Sequence, residues 1–143
     1  MNKLLVVCEG NICRSPMAQG LLRSRLAGWR VDSAGLNAVI GAPADPIAIS
    51  LLRDRGIDIE AHRATQITRK MCLGCDMVLV MDRDQRRRLE ELYPEACGRV
   101  FRVAEFAEAD VPDPYRQPEK AFRHALMIID EGVARWVHRI QRL

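Results

Sequence analysis

The chain reads as a single α/β domain, residues 1–143, with a four-stranded parallel sheet and helices on both faces. Stretches with strand character alternate with stretches of helical periodicity from one end to the other. Two of the strands, around "KLLVV" and "DMVLVM", are apolar at every or nearly every position, as strands buried on both faces must be. A length of 143 residues gives one sizeable core, and no repeat, low-complexity tract or linker interrupts it.

Taken in order, Lys3 to Val7 is the first strand. Ser15 then offers an N-cap, Pro16 suits the first helical position, and Met17, Ala18, Leu21, Leu22 and Leu26 make the apolar stripe of a first helix. "WRVDSAG" is a short second strand running into a glycine turn. Asp45-Pro46 opens a second helix that Gly56 ends. Thr68 caps a short helix ending near Gly74, "DMVLVM" is the third strand, and a helix from Arg83 to Leu92 is stopped by Pro94. "RVFRV" is a weaker fourth strand. "DVPDPYRQP", with three prolines, is a loop. From Glu119 onward, Phe122, Leu126, Ile129, Val133, Val137 and Ile140 recur at spacings of three and four, which predicts a long amphipathic closing helix.

Composition narrows the function classes. Hydrophobic residues are 48% and charged residues 29%, and no apolar run approaches the ~20 residues of a membrane span. "MNKLLVVC" resembles a leader, but the run Leu4 to Val7 falls short of the roughly 7–15 residues that a signal sequence needs. The net charge of +3 with only 5% aromatic residues does not make a nucleic-acid surface; it suits a small anionic substrate. Arg86-Arg87-Arg88 reads as one solvated helix face beside Glu90 and Glu91. Five cysteines (8, 13, 72, 75 and 97) with no export signal predict a reduced, cytoplasmic protein with a functional thiol.

That thiol is Cys8, at the end of the first strand, where ligands of parallel sheets bind. The segment Cys8-Glu9-Gly10-Asn11-Ile12-Cys13-Arg14-Ser15 joins this strand to the first helix. Its backbone N–H groups can turn inward as an anion nest, helped by the positive end of the helix. Gly10 and Asn11 tolerate the positive φ that a tight cradle needs. Arg14 can clamp two oxygens with its planar fork, and Ser15 can donate to the sulfur. The segment is thus a phosphate-binding loop in which the N–H groups that hold the phosphate also favour the thiolate, a nucleophile in line with phosphorus. The Glu9 carboxylate, unfavourable beside a thiolate, is expected to point out to solvent. In "PDPY", Asp113 lies between two prolines, placed to protonate a leaving oxygen and then to activate water.

These motifs resemble the low-molecular-weight protein tyrosine phosphatases. "CEGNICRSP" is similar to the family's signature and Asp113-Pro114-Tyr115 to its general-acid loop, and the similarity continues in "WRVDSAG", "HRATQIT", "VLVMD" and the closing helix. The resemblance implies hydrolysis through a phosphocysteine without metal or cofactor, with Cys8 as nucleophile, Arg14 as clamp and Asp113 as acid and base. It also implies a supporting polar network of Asn11, Ser33 and His62. Substrate contacts fall on Glu9, Gly10, Asn11, Ile12, Cys13 and Ser15 of the loop and on Leu36 and Tyr115 of the rim, with Val39 and Ile40 nearby. With Leu36 in "LNAVIGAPAD", the chain is more similar to bacterial enzymes paired with tyrosine autokinases of capsule and exopolysaccharide export than to eukaryotic members. Such an autokinase is the expected partner, with Arg116 reading acidic surroundings.

Two other chemistries touch parts of this sequence. Thioredoxin-linked arsenate reductases share the nucleophile loop but need two relay cysteines after the third strand. Here Cys72 and Cys75 precede that strand, and no cysteine lies between Met81 and Glu95. A zinc module could use Cys8–Cys13 and Cys72–Cys75 as two knuckles, but the first pair lies in a cradle that favours anions.

Overall fold

Strand β1 (Lys3–Cys8) runs through the middle of the sheet, and its alternation sets the layering. Leu4, Val6 and Cys8 enter one hydrophobic core; Leu5 and Val7 enter the other. In the computed structural model, which describes residues 2–143, the remaining elements are α1 (Arg14–Arg25), β2 (Arg30–Gly35), α2 (Pro46–Arg53), α3 (Arg69–Leu73), β3 (Met77–Val80), α4 (Arg83–Leu92), β4 (Val100–Arg102) and α5 (Glu119–Gln141). The sheet has four strands and is parallel throughout, as expected from the sequence, and the structure gives their order as β2-β1-β3-β4.

One face is covered by α1, α2 and α5, whose Met17, Leu22, Leu52, Phe122 and Ile129 pack against Val6 and Leu79. The other is covered by α3 and α4 through Cys72 and Leu89, against Val7, Val78 and Val80. Each such buried side chain contributes roughly 1.5–3 kcal/mol, against about 1 kcal/mol for a helix cap. The two cores therefore hold the sheet, and the caps adjust where helices start. Helix α5 is drawn in closely: a Cβ on Gly132 would stand 2.4 Å from the Val103 carbonyl oxygen, so only glycine permits this approach. Trp136 fixes its register by donating to the Arg102 carbonyl at 3.0 Å.

Two predicted caps are present: Asp45 accepts from the Ile47 amide and Thr68 from Met71. Asp82, not singled out from the sequence, caps α4 by accepting from the Gln85 amide. The third predicted cap is corrected. Helix α1 begins at Arg14, with Cys13 in the N-cap position and no side-chain cap. Ser15 lies inside the first turn, and its hydroxyl turns to Cys8 and Asn11. The first-turn amides that a capping serine would occupy are left facing the loop.

Because β1 passes to β2 on one side while β3 lies on the other, the C-terminal ends of β1 and β3 border a topological switch point. Residues 9–13 leave β1 there. The acid loop docks beside them through the Val111 amide on the Met81 carbonyl, at 2.8 Å.

Candidate active site

The carbonyls of residues 8–12 all point away from the loop's centre. Cys8 accepts from the Leu36 amide at 3.0 Å, Glu9 from Asn37 at 2.9 Å, Gly10 from Val39 at 3.0 Å and Ile12 from Asp45 at 2.8 Å. The Asn11 carbonyl accepts from His62 Nε2 at 2.7 Å. With the carbonyls held outside, the amides turn inward. The Asn11 amide donates to Cys8 Sγ at 3.3 Å, and those of Glu9, Gly10, Ile12 and Cys13 find no acceptor among the described residues. A ring of free N–H groups at the start of a helix is an anion cradle, and Cys8, 3% exposed, forms its floor.

Asn11 makes this turn possible. Its φ is 59°, in the left-handed region, and it is fully buried. Its side chain is satisfied on every side: Nδ2 donates to Ser15 Oγ at 2.7 Å and to Ser33 Oγ at 3.0 Å, and Oδ1 accepts from the Thr65 amide at 2.9 Å. Ser33 in turn donates to Gln19 Oε1 at 2.7 Å, and Gln19 Nε2 donates to the Val31 carbonyl at 3.0 Å. Each hydroxyl in this chain accepts from Asn11 and keeps its proton for the next partner. The Ser15 proton is therefore directed at Cys8 Sγ, 2.9 Å away, where it stabilises a thiolate. Asn11, Ser33 and His62 come together as the resemblance implies, while Gln19 and Thr65 extend the network unannounced.

Arg14 is 4% exposed and is fixed from behind, with Nη1 donating to the Val111 carbonyl at 2.8 Å and to Asp82 Oδ2 at 3.4 Å. Its Nη2 faces Asp113 Oδ2 at 3.7 Å. Asp113, with its side chain 49% exposed, accepts from the Tyr115 amide at 3.1 Å through Oδ1. Cys8, Arg14 and Asp113 thus share one cavity of about 170 Å³, walled by Ile12, Cys13, Asn37, Val39 and Tyr115. A larger groove of about 690 Å³ lies behind the network, against Ser33, His62 and Thr65, and no cysteine lines it.

Three expectations change. Leu36 is buried in the core with Leu5 and Val7 and does not line the cavity; Asn37 and Val39 take that place because the chain turns after the Leu36 amide bonds Cys8. Ile40 is 74% exposed and lies outside the wall. Glu9 does not float in solvent but pairs with Arg88 of α4, so the arginine run is not simply a solvated face. Arg116 stacks over Tyr115, its guanidinium 5.2 Å from the ring centroid. Cys13 is buried, and desolvation, then Asp45 and Cys8, push its thiol well above the ordinary range, so it remains a neutral wall. Cys72 and Cys75 pack on the opposite face of the sheet from Cys8 and Cys13, so the two pairs do not converge as a four-cysteine knuckle would require.

A thiol at the floor of an anion cradle, an arginine fork at its side and a carboxyl group over its mouth define a hydrolase of phosphate esters that works through a cysteine nucleophile. Comparison with known proteins names the class: the chain matches the low molecular weight phosphotyrosine protein phosphatase family over residues 3–143 and belongs to it. It is a cysteine-dependent protein tyrosine phosphatase. A probable low molecular weight protein-tyrosine-phosphatase, EpsP of Ralstonia nicotianae, is 49% identical over 140 residues, which are 98% of this chain and 97% of that protein. The structure of Vibrio vulnificus Wzb in complex with benzylphosphonate is 39% identical, with a TM-score of 0.93, over 96% of this chain and 98% of that one. YwlE arginine phosphatase from Geobacillus stearothermophilus also superposes with a TM-score of 0.93, at 32% identity, over 99% of this chain and 94% of that one.

His62 gives the network a pH dependence. Because a carbonyl accepts from Nε2, this nitrogen carries the proton, and burial lowers the pKa from its ordinary 6.5, ahead of the opposing hydrogen bond to Asn11. A value depressed on folding means that the stabilisation is complete above about 6.5 and is lost as pH falls through the folded value. His62→Gln should therefore be less stable than the native chain at pH 7.5, with a shallower loss below pH 6.5. Urea titrations of both proteins across this range check it; parallel curves would mean that His62 does not carry the acid limb.

Proposed function

We propose that this chain is a cytoplasmic phosphatase of phosphotyrosine proteins, with Cys8 as nucleophile, Arg14 as phosphate clamp and Asp113 as acid and base. The observation that supports these roles is the convergence of the three side chains on one small cavity, Arg14 Nη2 lying 3.7 Å from Asp113 Oδ2. Phosphate seated on the free amides would present phosphorus to Cys8 Sγ. The sulfur–phosphorus bond forms as the bond to the tyrosyl oxygen breaks, and the Asp113 carboxylic acid gives that oxygen its proton. Arg14, whose Nη2 hydrogen-bonds no acceptor among the described residues, holds the equatorial oxygens. Asp113 then takes a proton from water, the water oxygen attacks phosphorus, and the thiolate leaves with the Ser15 hydroxyl donating to it. Free cysteines throughout suit a reducing compartment.

Asp113→Asn should lower kcat by roughly 10²–10⁴-fold with poor leaving groups and by much less with activated phenols. Rates across a series of aryl phosphates check this, with Cys8→Ser as the inactive control. Equal losses across the series would remove Asp113 from the proton-donor role.

The wall favours a flat ring. Ile12, Val39 and Tyr115 present apolar and aromatic surface, and a phosphoserine stem is too short to bring its phosphate down to Cys8 while resting on them. The names of the relatives and the Arg116–Tyr115 stack beside the cavity support a phosphotyrosine-bearing bacterial autokinase of exopolysaccharide production as the partner. Because one structural relative is an arginine phosphatase, phosphoarginine is the sharpest control. In matched peptides phosphotyrosine should exceed phosphoserine and phosphoarginine in kcat/KM by about 10–200-fold, with part of the preference lost in Tyr115→Ala. Equal values for phosphotyrosine and phosphoarginine would contradict the ring-selective wall.

A further inference from the structure

Glu9 is the only carboxylate in the segment from Cys8 to Ser15, and it follows the nucleophile directly. It lies at the cavity wall, where a phosphate dianion must pass. Its main chain is pinned, since its carbonyl accepts from the Asn37 amide at 2.9 Å. Its carboxylate is gripped by Arg88 in a two-point fork, Nη1 to Oε1 at 2.5 Å and Nη2 to Oε2 at 3.2 Å.

This pairing is not the default of a crowded arginine run. Arg87 takes Asp84 at 2.6 Å and Glu91 at 3.0 Å, and Arg86 lies near Glu90 and Glu105, at 3.7 and 3.8 Å. Asp84 is the other acid near Arg88, at 3.6 Å, and Arg87 already holds it. Arg88 alone of the three reaches the loop. The helix that carries it is itself tied to the site, because its cap, Asp82, bonds both the Gln85 amide and Arg14.

We propose that Arg88 is a positioning residue for the phosphate loop: its fork holds the Glu9 carboxylate along the cavity wall and cancels its charge where phosphate enters. Phosphate affinity then depends on a helix outside the loop. Released, Glu9 would repel a dianion across several ångströms of partly solvated space, which is worth roughly 3–10-fold in affinity at low salt and less when screened. This inference rests on the phosphatase reading above, and two measurements keep the two apart.

The purified chain and its Arg88→Ala, Glu9→Gln and double variants are compared for KM and kcat with p-nitrophenyl phosphate and, independently of turnover, for Kd of inorganic phosphate by calorimetry. Arg88→Ala should raise KM and phosphate Kd by about 3–10-fold, with kcat within about twofold, and the rise should shrink at about 0.5 M salt. Glu9→Gln should lower both constants, and the double variant should fall back to the native values or below. An unchanged Kd in Arg88→Ala, or a double variant as impaired as Arg88→Ala, would overturn the proposal. A raised Kd in Glu9→Gln, where the helix is intact, would overturn it without relying on how Arg88→Ala folds. A native chain without turnover would count against the phosphatase reading, while the phosphate Kd values would still test Arg88.

Discussion

The site depends on one buried residue in an unfavourable conformation. At φ 59°, Asn11 reverses the chain inside the loop, and a lone left-handed residue of this kind costs of order 1–3 kcal/mol unless its surroundings hold it there. They do so at five points: Ser15, Ser33, the Thr65 amide and His62 through its side chain and carbonyl, and Cys8 through its amide. The reversal turns the carbonyls out and the amides in. The same contacts also set the direction of each hydroxyl proton, so that the last in the chain is aimed at the sulfur. Nucleophile activation and phosphate binding are thus two results of one turn.

Charge is arranged with the same economy. Arg14 would be costly to bury alone. Asp82 and the Val111 carbonyl compensate it from behind on a single nitrogen, leaving the side that faces Asp113 open. Asp82 is also the cap of α4, and α4 carries the arginine that holds Glu9. One short helix therefore bears on both the positive and the negative charge at the cavity. The parallel sheet makes this possible, because β1 delivers the nucleophile and β3 delivers α4 at adjacent strand ends.

Much of this was legible in the residues. The apolar runs of β1 and β3, the turn signals at Asp45, Thr68 and Pro94 and the periodicity of α5 are local properties, and local properties place elements. The Cys-x5-Arg spacing marked the loop, and the need of a phosphate ester for a proton donor singled out Asp113 between its two prolines; the resemblance to a known signature then added the network of Asn11, Ser33 and His62. Ser15 misled because a serine before a proline has the pattern of a cap, whereas its hydroxyl serves a cysteine seven positions back. Leu36 misled because facing the cavity or the core is decided by which amide the preceding strand leaves free, not by side-chain type. Gln19, Asp82 and Arg88 act across gaps set only by folding. Arg88, 79 positions from Glu9, carries no local sign of its partner.

Asn11 acts through its side chain as well as its backbone, and glycine separates the two. Asn11→Gly accepts the same φ without strain but loses every side-chain hydrogen bond of the network. The measurement is kcat for an aryl phosphate in Asn11→Gly, with folding verified by circular dichroism. The expected result is a folded protein with kcat reduced by about 10²-fold, the scale of losing one preorganised catalytic donor. A folded Asn11→Gly as active as the native chain would contradict it, because the turn alone would then suffice.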